Sequence, residues 1–123
     1  MNDEMVLDWL TWFTHHHEVQ TAQAQLRNAT KWFHKSKHIA TRYNHETKLY
    51  RTDSLYFAII HEIKQQGWRY RIWHNPDHER KQIEAIVVYG KKLEKEYSQC
   101  YAKTELHALM KAYKIAWEKT NVN

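Results

Sequence analysis

Cysteine, glycine and proline are scarce in this chain of 123 residues, with one, two and one copies respectively. The single thiol, Cys100, excludes an intramolecular disulfide and any cysteine-based zinc cluster. Two glycines leave no phosphate-cradling loop and no Gly-flanked nucleophile elbow. So few turn residues favour long elements joined by few tight turns. No apolar run approaches the roughly 20 residues that span a bilayer, so no membrane partner is expected. Asp3 and Glu4 stand where a secretory leader would carry basic residues. A cytoplasmic protein is the expectation.

What is present is aromatic and mildly basic. Six Trp and eight Tyr supply rings for a core or a binding face. The formal net charge is +5, unevenly spread. Residues 1–53 hold 7 Lys/Arg against 6 Asp/Glu, and residues 54–123 hold 12 against 8. A basic bias in the second half suits an anionic partner.

Periodicity divides the chain into a helical N-terminal arm (1–43), a linker (44–53) and an α-β-β-β-α domain (54–123). Val6, Trp9, Leu10 and Phe13 share one helical face from about Glu4 to His16, capped by Asn2 or Asp3. Val19, Ala22, Leu26, Ala29 and Phe33 form a second stripe, out of phase with the first, which predicts a second helix after a break near His15–His17. In the C-terminal half, Leu55, Ala58, Ile59 and Ile63 predict a helix that Gly67 would end in a left-handed cap. Trp68, Tyr70 and Ile72 then alternate with Arg69, Arg71 and Trp73, as a half-buried strand does. Ile83 to Tyr89 is apolar on both faces and predicts the central strand. A third strand runs to Ala102, and Thr104 opens a last helix to Glu118. The expected fold is α+β, with a three-stranded antiparallel sheet between helices 54–66 and 104–118.

Arg51-Thr52-Asp53 before the first of these helices, Gly67-Trp68 at its end, and Ala108-Leu109-Met-Lys-Ala112 in the last helix resemble the phage ABA sandwich domain family. That resemblance covers about half the chain. It implies a small phage or prophage accessory protein in a bacterial host, with no catalytic residues to carry over. The order helix, three strands, helix is also similar to the double-stranded RNA-binding domain. There the last helix opens with basic residues that grip phosphate. Here it opens Lys103-Thr-Glu-Leu-His107, which discounts that mode of RNA binding.

Candidate chemistry is thin. His34 and His38, four apart on the expected helix, would bring two imidazoles to one face as a weak metal site, with His15–His17 or His45 as a third ligand. His61-Glu62 begins a zincin-like motif, but Gln65 stands where the second His is required. Cys100, between Ser98 and Ala102, reads as a packed thiol. No catalytic residue and no cofactor is expected.

The strongest surface candidate is Arg69, Arg71 and Trp73 on one strand face, with Arg80, Lys81, Lys91, Lys92 and Lys95 at the strand ends. Interleaved Arg and aromatic residues anchor nucleic acid or an acidic protein surface. The competing reading pairs these cations across strands with Glu84, Glu94 and Glu96. Trp9, Trp12, Trp32 and Phe33 either pack as core or form a docking face or homodimer seam. These features lead to the expectation of a non-enzymatic accessory protein that binds a host protein or ribonucleoprotein complex, inhibition of a CRISPR effector being one form. The alternatives are a nucleic-acid-binding module on the basic sheet face and, below it, a His-dependent metal enzyme.

Overall fold

The computed structural model describes residues 2–24, 28–43, 48–74, 82–91 and 93–121, without the side chains of Ala24 and Lys91. The chain is α+β and divides into two compact units, Met1–Ala58 and Ile59–Asn123.

The first unit opens with α1 (Asp3–His16), where the Asn2 side chain accepts a hydrogen bond from the Met5 amide. Val6, Trp9, Leu10 and Phe13 form its buried stripe, as their spacing predicts. Beyond it, the expectation of a second helix fails. The chain forms an antiparallel meander of β1 (Val19–Ala24), β2 (Ala29–His34), β3 (Lys37–Tyr43) and β4 (Leu49–Arg51), paired in that order. The N-terminal arm is therefore largely sheet, and the expected linker contains a strand.

The reasons are local. Val19, Thr21, Thr30, Trp32 and Phe33 are β-branched or aromatic residues that favour a pleated surface. The burial of Thr30 and Trp32 in β2 outweighs the helix propensity of the Ala- and Gln-rich middle. Lys35 and Ser36 form a two-residue hairpin turn between His34 and Lys37, with φ of 52° and 66°. Such turns require positive φ, normally announced by Asn-Gly. With no Asn or Gly at the turn, the hairpin gave no signal. Ser36→Gly should therefore stabilise the first unit by about 1 kcal/mol, because glycine carries no left-handed penalty. Thermal unfolding should show a midpoint about 4 °C higher. A lowered midpoint would mean that the Ser36 side chain itself stabilises this turn.

In the second unit the C-terminal half of α2 (Leu55–Gln65) ends as expected. Trp68 N–H bonds the Ile63 carbonyl and Gly67 N–H the Lys64 carbonyl, both at 3.0 Å, with Gly67 at φ 75°. That is the Schellman arrangement. β5 (Arg69–His74), β6 (Ile83–Lys91) and β7 (Glu94–Ala102) then pair antiparallel with β6 in the centre. α3 (Glu105–Thr120) follows, capped by the Thr104 hydroxyl, which accepts from the His107 amide.

Register assigns the two faces of this sheet. Tyr70, Val87 and Ser98 align on one side, as do Ile72, Ala85 and Cys100. α3 packs against β6 and β7 with Ala108, Leu109, Met110, Ala112, Tyr113 and Ala116 buried. Small residues allow close approach here, and Ser98 Oγ donates to the Ala112 carbonyl at 2.6 Å. Burial pushes the Tyr113 phenol far above its ordinary range, with nearby Glu62 adding to the effect. The expectation of a sheet held between two helices is met on one side: α3 covers this face, and the opposite face forms an open groove.

Candidate binding face

The opposite face of the second sheet carries the rows Arg69–Val88–Tyr97, Arg71–Ile86–Gln99 and Trp73–Glu84–Tyr101. β5 places the cations and the indole, because its odd-numbered residues point away from α3. β6 contributes the apolar floor through Ile86 and Val88. β7 contributes Tyr97, 65% exposed, with Lys95 at the hairpin end opposite Gly90. Arg71, Trp73, Ile86, Val88, Lys95 and Tyr97, together with Gln99, Tyr101 and the acids Glu84 and Glu96, bound a groove of about 700 Å³. Arg69 lies on the same face outside its lining.

Arg71 holds its guanidinium carbon 4.2 Å from the centroid of the Trp73 ring, a cation–π stack. Among the described residues no ion pair joins Arg69, Arg71 or Lys95 to a carboxylate. Glu84 and Glu96 line the same groove as Arg71 and Lys95 without reaching ion-pair distance of them. Glu94 stands opposite Lys91, and Glu96 opposite Tyr89, on the strand positions of the other face, though Glu96 also borders the groove.

Glu84 is the unusual residue of this face. It is only 2% exposed, flanked in register by Trp73 and Tyr101. Gln99 Nε2 donates to Glu84 Oε2 at 2.8 Å and to the Tyr101 hydroxyl at 3.1 Å. Glu84 Oε1 is buried with no hydrogen-bond partner among the described residues. A buried acceptor left unmade costs about 1–3 kcal/mol, and more when charged. The sequence reading treated Glu84 only as a neutralising charge and gave Gln99 no role. The available signal was a lone acid inside the apolar run Ile83-Glu-Ala-Ile-Val-Val88.

The other candidates are placed differently. Arg80, Lys81 and Lys92 lie outside the described residues, as do His45 and the side chain of Lys91. Trp9 and Trp32 are buried, while Trp12 and Phe33 are half-buried. Trp9 stacks on Phe13 at 4.8 Å, so its ring serves the core of the first unit and not an exposed seam.

His34 and His38 do not share a helical face. They lie on adjacent strands around a bulge, His34 buried near Phe13 and His38 hydrogen-bonded to Thr41. Burial, reinforced by Lys31 and Arg51, holds His38 below its usual pKa. Among the described residues no group of three or more His, Cys, Asp or Glu is placed to hold a metal ion. Cys100 is half-buried beneath α3, and burial raises its thiol pKa despite nearby Lys111, so it is a poor nucleophile. His61 and Glu62 lie on α2, which bears no second motif histidine at Gln65.

The architecture and face define an α+β protein with two antiparallel sheets, one of which presents cations, rings and a buried carboxylate in an open groove. Among the described residues no helix is long and apolar enough to cross a membrane. Compared with protein-family models, with curated proteins and with solved structures, the chain gives no significant match.

Proposed function

We propose that the chain is a non-enzymatic binding protein, and that the outer face of β5–β6–β7 takes single-stranded nucleic acid. The observation that supports this reading is Arg71 and Lys95 beside Trp73, Tyr97 and Tyr101 on one groove, with Arg69 on the same sheet face. Cations track a phosphate backbone, while indole, phenol and guanidinium planes are stacking platforms for unpaired bases. A duplex hides its bases from such platforms. The resemblance to a phage accessory family suggests the setting, a single strand carried by a host ribonucleoprotein, with the guide RNA of a defence complex as one instance.

Titration of the protein with a fluorescent single-stranded RNA, and separately with the duplex of the same sequence, tests this reading. The single strand should bind more tightly. Equal binding would reduce the face to a general polyanion surface, and binding of neither would remove the proposal.

A further inference from the structure

Resting on the nucleic-acid reading, we infer that Glu84 is a base-reading residue and that the base it selects is guanine. The groove floor holds a carboxylate that is 2% exposed, with Oε1 lacking any partner among the described residues. Gln99 fixes the other oxygen at 2.8 Å. The carboxylate is thus oriented before any ligand arrives.

An ionised carboxylate accepts hydrogen bonds and donates none. Its complement is a planar group with donors along one edge, entering between rings. Trp73 and Tyr101 flank Glu84 in register and supply those rings. Unpaired bases are read on their Watson–Crick edges in this way. Guanine presents two adjacent donors there, N1–H and the 2-amino group, at the spacing of the two carboxylate oxygens. Cytosine and adenine present one amino group beside a ring-nitrogen acceptor, which the carboxylate repels. Uracil presents one N–H between two carbonyls. Glu84 therefore favours guanine over the other three, while Arg69, Arg71 and Lys95 hold phosphate without regard to sequence.

The test uses the full chain and adenine strands of roughly eight nucleotides, each with one central guanine, cytosine, uracil or inosine. The guanine strand should bind about 10- to 100-fold more tightly than the all-adenine strand. Glu84→Gln, which keeps the shape but puts an amide donor in the groove, should abolish that preference. Should Glu84→Gln fail to fold, inosine makes the same cut from the ligand side, because it lacks the 2-amino donor, and it should lose much of the preference. Equal binding of all strands by the natural chain would overturn the role of Glu84 while leaving the nucleic-acid reading in place. Inosine binding as tightly as guanine would overturn it too. If no strand binds, both proposals fall, and the donor for Glu84 is to be sought on a protein partner, in an arginine side chain.

Discussion

Gly90→Ala is expected to cost the second unit about 2–4 kcal/mol. Gly90 sits at φ 97°, where side-chain-bearing residues are strained by about 1–3 kcal/mol. The steric problem is the larger one. A Cβ at this position would lie 2.6 Å from the Glu94 carbonyl oxygen, which belongs to the backbone of the paired strand. No rotamer change relieves a clash with backbone, so the β6–β7 hairpin must open where Gly90 faces Lys95. Gly67 supplies the control. It too has positive φ, at 75°, but an added Cβ there meets nothing within 4 Å. Gly67→Ala should lose only about 1 kcal/mol. In urea, at a slope of about 2 kcal/mol per M, Gly90→Ala should move the midpoint down by about 1–2 M and Gly67→Ala by about 0.5 M. Equal losses at the two positions would show that the Glu94 carbonyl does not confine Gly90. Because this hairpin carries Lys95 and Tyr97, Gly90→Ala should weaken ligand binding as well.

Trp73→Ala should weaken single-strand binding about 10- to 100-fold for every sequence. A base stacked on an aromatic ring contributes about 1–3 kcal/mol, and this contribution does not depend on which base it is. Removing the indole also removes the platform that holds the Arg71 guanidinium at 4.2 Å. The two residues therefore act together. Arg71→Glu should show a comparable loss in natural protein, and the double variant should lose less than the two single losses combined. Additive losses would mean that Arg71 and Trp73 contact the strand independently. Unchanged binding in both single variants would exclude this face as the site. Circular dichroism of each variant separates lost binding from lost fold.

The second unit was legible in the sequence because its signals are chemical and local. Gly67 at a helix end, alternation from Trp68 to Trp73, an apolar central run and Thr104 as a cap each require one local geometry. The structure has all four. The first unit was not legible beyond α1. Val19, Ala22, Leu26, Ala29 and Phe33 fall on a helical stripe by coincidence of spacing, and the turn that makes a hairpin instead is Lys35-Ser36, with neither Asn nor Gly. β4 is three residues long, and its Tyr50 and Arg51 are exposed, so it lacks the apolar alternation that marks a strand. At the candidate site, Arg69, Arg71, Trp73 and Lys95 were readable from strand alternation. Glu84 was read as a charge and not as an oriented acceptor. Its burial and its Gln99 contact depend on residue pairings across three strands, which no single strand encodes.

The most direct test of the central claim is the single-strand affinity of the natural chain measured from about 50 to about 200 mM salt. Three described cations, each releasing the counterion of one phosphate, predict a slope of about −2 in log affinity against log salt, which is a loss of roughly 20-fold over that range. A flat profile, or no measurable binding at the lowest salt, would contradict the assignment of this face to nucleic acid.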